Sequence, residues 1–205
     1  DPVIDSMRQI VDRQSLHLAR IVDDLLDANR IARDKLLVNR EIVDVCETVR
    51  QAIDTSQPLM EAKGHRLHVD LPPAPVIVQG DFVRLTQACV NLLNNAAKYT
   101  PRNGHVFVQV RIERTEVAIR VRDTGIGISS EDLPKVFDLF TQIQPSTHAA
   151  GGLGVGLALV QRVVQLHGGT VTAGSEGVDR GSGFEIRLAR ARPALRAVED
   201  VRGNE

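Results

Sequence analysis

Long apolar runs are missing from these 205 residues. None approaches the roughly 20 residues that span a bilayer, so no membrane contact is expected of this fragment. The opening stretch DPVIDSMRQI also lacks the apolar core of a signal peptide. Neither sign of charge is in excess. With 26 acidic against 25 basic side chains there is no strong field, and nucleic acid and acidic membranes are excluded as electrostatic partners. Cysteine is scarce too: Cys46 and Cys89 stand in helix-like runs without ligand spacing. That excludes a disulfide framework and points to buried thiols in a reduced, cytoplasmic setting. No GxxxxGK[ST] segment occurs, which excludes a P-loop nucleotide site.

What is present begins with an amphipathic helix over residues 2 to about 36. Ile4, Val11, Leu18, Leu25 and Ala32 recur every seven residues, interleaved with Met7, Gln14, Ile21 and Ala28. Ile10, Val22 and Ile31 widen the stripe as a helical bundle requires. One helix cannot bury such a stripe alone, so partner helices are implied. Opening in mid-helix, the chain reads as a piece of a longer protein.

Beyond this helix the pattern changes. LLVNREIV reads as a strand, and Asp44 caps a helix that reaches Lys63 and is stopped by Gly64. HRLHVDL alternates like a half-buried strand and VIVQG is a short one. Asp81 caps a helix that Pro101 ends; HVFVQVRIE and EVAIRVRD then form a hairpin. A helix from about Val155 to His167 precedes the strands TVTAGSE and GFEIRLA, and residues 191–205 read as a linker or tail. The expected fold is α+β: a two-layer α/β sandwich with helices on one face of a mixed sheet, preceded by the long helix. The expected division is 1–37, 38–190 and 191–205.

The candidate chemistry starts with NLLNNAAKYT, residues 91–100. Amides are costly to bury without partners, yet Asn91, Asn94 and Asn95 interrupt an apolar helical run. Asn91 and Asn95 are four apart and share a helix face. Two uses are open: hydrogen bonds inside a core, or oxygen ligands for a hard cation that bridges to phosphates, with Lys98 neutralising charge. RDTGIGIS places Asp123 at a strand end before Gly125 and Gly127, and GGLGVGLALV places Gly152, Gly154 and Gly156 at a helix start. A glycine-rich helix start exposes N–H groups toward an anion. Asp123 either binds a ligand or caps the turn after it.

From about residue 37 to 190 these motifs together resemble the catalytic, ATP-binding domain of bacterial sensor histidine kinases. That domain's superfamily includes DNA gyrase, the heat-shock chaperone ATPases and the mismatch-repair ATPases. NLLNNAAKYT looks like the N box, DTGIGI and GGLGVGL the two glycine boxes, and VFDLF the F box. LARIVDDLLDANRI in the first helix resembles the second helix of the dimerisation and phosphotransfer domain.

The resemblance implies a Bergerat-type site for ATP and Mg2+. Asp123 would accept from the adenine amino group, with Gly125 and Gly127 shaping the loop beneath the base. Asn91, Asn95 and Lys98 would be the catalytic set. Asn95 holds magnesium through its oxygen, Asn91 supports metal or phosphates, and Lys98 contacts phosphate. Tyr99 flanks the nucleotide, and Gly152, Gly154 and Gly156 support the phosphates. Phe137 and Phe140 anchor a lid at about 141–151, and Asn94, without a motif role, is read as solvent-facing. The implied partners are a histidine-bearing acceptor helix of the parent kinase, a response regulator receiver domain and a second copy in a homodimer.

Two absences qualify the match. No Arg or Lys lies in TQIQPSTHAAG, so a phosphate contact from the lid is missing unless His148 supplies it. The family's acceptor histidine is followed by Glu or Asp, whereas the histidines here precede Leu18, Arg66, Val69, Val106, Ala149 and Gly168. The acceptor helix is therefore expected to be absent, and self-phosphorylation with it. A third absence separates two enzyme classes. The gyrase-type hydrolases place a water-activating glutamate where this chain has Asn91, an amide that takes no proton at neutral pH. A kinase is expected over an ATP hydrolase, or over a nucleotide-binding regulatory module without transfer activity.

Overall fold

The computed structural model describes residues 2–33, 35–142 and 153–191. Helix α1 spans Pro2–Ala32 and ends short of residue 36, its last turn closing with Lys35 N–H on Arg30 O at 2.9 Å. The chain then runs extended to a short strand β1, Glu41–Asp44, so only the end of LLVNREIV is strand. Asp44 starts α2, Val45–Ala62: its Oδ1 accepts from Cys46 N–H at 3.0 Å and from Val76 N–H at 2.9 Å. One carboxylate thus caps a helix and fastens the approach to β3, Ile77–Gly80. Asp81 caps α3, Phe82–Tyr99, through Arg84 N–H at 3.0 Å.

The main sheet has strand order β2-β4-β5-β7-β6. Its members are β2 Arg66–Asp70, β4 His105–Ile112, β5 Glu116–Asp123, β6 Thr170–Gly174 and β7 Gly183–Ala189. β2 runs parallel to β4 and the other pairs are antiparallel, so the sheet is mixed. β1 and β3 stand apart as a two-stranded antiparallel sheet. Edge position explains a second departure. β2 is paired on one side only, and Val69 is 48% exposed, so HRLHVDL is barely half-buried.

Alternation decides which face is covered. Val108 pairs with Val121, Val110 with Ile119, and Ile119 with Ile186, placing a buried apolar layer on one face. Against it lie Val49 and Ala52 of α2, Leu85, Cys89 and Leu92 of α3, and Val160 and Val163 of α4, Gly156–Leu166. Each large aliphatic side chain buried there contributes about 1.5–3 kcal/mol. The opposite face carries ion pairs: Asp70 with Arg111, Arg120 with Glu185, and Arg187 with Glu113. Both cysteines are free and buried, Cys46 in α2 and Cys89 in α3.

His167 closes α4 and joins it to α3. Its Nε2 accepts Asp81 N–H at 2.8 Å, which leaves Nδ1–H to donate to Val163 O at 2.7 Å. Only neutral imidazole satisfies both. Burial holds its pKa below the ordinary value, with Arg40 acting the same way against the Val163 bond and Asp81. A depressed folded pKa means the stabilisation is present above about pH 6.5, the ordinary histidine value, and is lost as pH falls below it. The melting temperature is expected to drop below that pH, and His167→Gln to flatten this part of the profile. Identical slopes for both proteins would remove His167 from the account.

Candidate functional site

The site is a cavity of about 910 Å³ between α3, the start of α4 and the end of β5. That volume matches small-molecule and cofactor pockets. One wall is the face of α3 carrying Asn91, Asn95 and Lys98, with Tyr99 at the helix end. Asn94, expected to face solvent, is half-buried and lines the same cavity. Among the described residues no hydrogen bond engages the side chains of Asn91 or Asn95. A role in internal core hydrogen bonding is thereby excluded within these residues, and both carboxamides stay available to a ligand.

Asn91 also faces the opposite wall. A Cβ added at Gly156, the first residue of α4, would lie 3.5 Å from Asn91 Oδ1. The N-cap of α4, Val155, makes no side-chain cap hydrogen bond, and no acidic residue stands in the first turn. The first N–H groups and the positive end of the helix dipole therefore meet the cavity without a competing side chain. Gly154, Val155 and Leu157 line it there.

Of the two roles left open by the sequence, the local bonds give Asp123 the turn cap. Its Oδ1 accepts from Gly125 N–H at 2.7 Å and Ser182 N–H at 3.3 Å, and Oδ2 from Ser182 Oγ–H at 2.6 Å. It caps the turn, and it lines the cavity as well. Gly125 permits the close approach: a Cβ there would stand 2.5 Å from Asp123 Oδ1 and 2.6 Å from Tyr99 O. Gly127, on the cavity wall, has φ +68° and its Cβ would fall 2.0 Å from Gly177 O. Ile126, Ile128, Val136, Leu159 and Phe184 supply an apolar floor beside the carboxylate.

Lys98 Nζ sits 4.8 Å from the Tyr99 ring centroid. A second cation was not foreseen: Lys63 lines the cavity and donates from Nζ to Lys98 O at 2.7 Å. Burial, then the charges of Arg102 and Lys98, lower its pKa. Ser182 was missed as well. The only signal was a hydroxyl between Gly181 and Gly183 at the start of an apolar strand. Phe137 packs edge-on against Phe184 at 6.3 Å, and Phe140 is 59% exposed with its N–H on Gly154 O at 3.0 Å. Neither ring lines the cavity, where Val136 stands instead. Of the lid, Thr141 and Gln142 reach the wall. Gly152, His148 and the rest of 143–152 lie outside the described residues, as does 192–205.

A mixed sheet covered by helices on one face, with this cavity at its helical layer, is the frame in which the comparisons find an ATPase family. The family described as histidine kinase-, DNA gyrase B- and HSP90-like ATPase matches residues 80–192, and the chain belongs to it. Its relatives are sensor histidine kinases. It is 33% identical over 180 residues to histidine protein kinase DivJ of Caulobacter vibrioides, covering 88% of this chain and 30% of that protein. It is 32% identical over 169 residues to sensor histidine kinase WalK of Bacillus subtilis, covering 81% and 28%. Among solved structures, the mycobacterial sensor histidine kinase MprB aligns with TM-score 0.66 and 28% identity over 75% of this chain and 100% of that one. Full-length ShkA in complex with AMPPNP aligns with TM-score 0.77 and 27% identity over 94% and 40%. The chain thus carries an ATP-binding domain of this family, similar to those of sensor histidine kinases, and it spans at most about a third of the curated relatives named.

Proposed function

We propose that this chain binds ATP with magnesium and donates the terminal phosphoryl group to a histidine on an acceptor helix it does not itself carry. The observation that carries the reading is the meeting, in one cavity, of two unengaged amides with an uncapped helix start opposite Asp123. In this reading Asp123 accepts from the adenine amino group and Tyr99 flanks the base. Lys98, with Lys63 nearby, faces the phosphates, and Gly154 and Gly156 let them approach the first N–H groups of α4.

The donor set fits magnesium only in company. Carboxamide oxygens suit a hard cation, but the described residues hold no cluster of three acidic, histidine or cysteine groups. Phosphate oxygens and water must complete the shell. When bound, the metal neutralises phosphate charge, and Asn95 would hold it with Asn91 in support. The attacking imidazole nitrogen forms the new N–P bond as the bond to the bridging oxygen breaks and ADP leaves. Asn91 accepts no proton, so water is not activated in its place.

Residues 1–37 then belong to a dimerisation bundle, with 38–190 as the catalytic domain and 191–205 as a connector. Val11 and Leu18 of α1, 61% and 63% exposed, would pair with partner helices in a homodimer. A response regulator receiver domain would take the phosphate onward, on the cytoplasmic side of the cell. Among the described residues no helix is long and apolar enough to cross a membrane.

Calorimetry tests the binding step. ATP should bind more tightly with magnesium than with chelator, and Asn95→Ala should abolish most of that difference while leaving metal-free binding nearly intact. An undiminished magnesium effect in the variant would sink the role given to Asn95. For transfer, terminally labelled ATP plus a separate protein bearing intact acceptor helices should give an acid-labile, base-stable phosphate on the acceptor. The 205-residue chain alone should acquire no such label.

A further inference from the structure

Asp27 is an anomaly on α1. Its neighbours Leu25 and Leu26 are exposed, whereas this carboxylate is buried at 8% exposure. Buried charge is retained only with partners, and these come from α3. Asp27 Oδ2 accepts from Gln87 Nε2–H at 2.8 Å, and Oδ1 stands 3.9 Å from Arg84 Nη1. Arg84 Nη1–H in turn donates to Gln87 Oε1 at 2.9 Å. The amide of Gln87 is held at both ends, its oxygen by Arg84 and its nitrogen by Asp27. Ala28 is buried beside this contact, and α1 packs on α4.

The contact is aligned with the phosphate-holding residues. Gln87, Asn91 and Asn95 follow one another at four-residue spacing along one face of α3. Asp27, Gln87 and Asn91 line the same cavity. The negative charge that docks α1 is therefore a wall of the space assigned above to a polyphosphate. Like charges that face one cavity repel, and the more so where burial, as at Asp27, limits screening by water.

We propose that Asp27 is a positioning residue for phosphoryl transfer, and that its docking on Arg84 and Gln87 opposes binding of a triphosphate. Docked, it fixes α1 against the nucleotide helix. A terminal phosphate in the cavity weakens that hold and frees the catalytic domain to move relative to α1, as delivery to an acceptor elsewhere requires. The two events are reciprocal: whatever ATP does to docking, docking does to ATP affinity. The inference rests on the assignment of Asn91 and Asn95 to the phosphates.

Hydrogen exchange and calorimetry on the 205-residue chain test it together, with AMPPNP, ATP and ADP, each with magnesium, as probes. AMPPNP should speed exchange over residues 24–33 at least fivefold, and ADP, without the terminal phosphate, less than twofold. Asp27→Asn, which keeps shape and removes charge, should exchange fast here without nucleotide. It should also bind ATP at least threefold more tightly with ADP affinity nearly unchanged. Gln87→Glu, which sets a second carboxylate against Asp27, should give the same fast exchange and guards against a folding artefact in the first variant. Protection of residues 24–33 left unchanged by bound AMPPNP would overturn the proposal. So would an Asp27→Asn effect equal for ATP and ADP, the mark of a merely structural contact. Absence of any nucleotide binding would overturn the assignment of the cavity itself, and this inference with it.

Discussion

Asp123→Asn is expected to weaken ATP binding by roughly 1–3 kcal/mol, the cost of mispairing a buried polar group, while leaving the fold intact. The local bonds allow that separation. The amide oxygen can keep the Gly125 N–H bond of 2.7 Å, and the new N–H2 can donate to Ser182 Oγ, now 2.6 Å from Oδ2, once that hydroxyl turns. What the amide cannot restore is a second acceptor for the exocyclic amine of adenine. The loss should therefore be selective. Inosine triphosphate, which carries a carbonyl at that position, should lose less affinity than ATP or gain some. Calorimetry with both nucleotides reads the ratio, and an unchanged ATP affinity would refute the role given to Asp123.

A larger loss is expected from Gly127→Ala, with Gly168→Ala as its control. Both glycines have left-handed backbone, φ +68° and +72°, so alanine costs each about 1–2 kcal/mol. Only Gly127 adds a collision: its Cβ would lie 2.0 Å from Gly177 O, whereas at Gly168 nothing stands within 4 Å. Relieving it must shift a segment tied by Asp179 N–H to Ile126 O at 2.7 Å and Gly181 N–H to Gly125 O at 3.0 Å. The same segment leads into Ser182, which holds Asp123. Gly127→Ala should cost about 3 kcal/mol or more in denaturant unfolding, the strain above plus overpacking, and should lower ATP affinity more than tenfold. Gly168→Ala should lose only the backbone share and bind normally. Equal effects at both positions would mean that strain, rather than the crowding around Gly127, governs the loop.

Those contrasts also mark where sequence is informative. That Asn91 and Asn95 share a face was legible from helical spacing, and the place of Asp123 from a strand pattern that ends there in glycines; their roles came only with the family resemblance. The hairpin of β4 and β5, the caps at Asp44 and Asp81, and helices covering one face of the sheet follow from local periodicity and match the structure. Ser182 was illegible because its meaning comes from a partner 59 residues away. Lys63 looked like the end of a helix, and nothing local sets it against Lys98 O, 35 residues on. The separate β1–β3 ladder and the parallel pairing of β2 with β4 are choices among partners that alternation leaves equivalent. Asn94, read as solvent-facing, is half-buried because its face of α3 lies along the cavity.

The two buried cysteines bear on how such motions can be watched. Burial pushes the Cys89 thiol up to about 12, and burial together with Asp44 raises that of Cys46. Thiolate is the reactive form, so at neutral pH neither side chain offers much to a maleimide or to peroxide. The unmodified polypeptide is then already a silent background for site-directed labelling. A cysteine introduced at an exposed position such as Leu26 or Val83 should take up a fluorophore or spin label selectively, without prior removal of the native thiols.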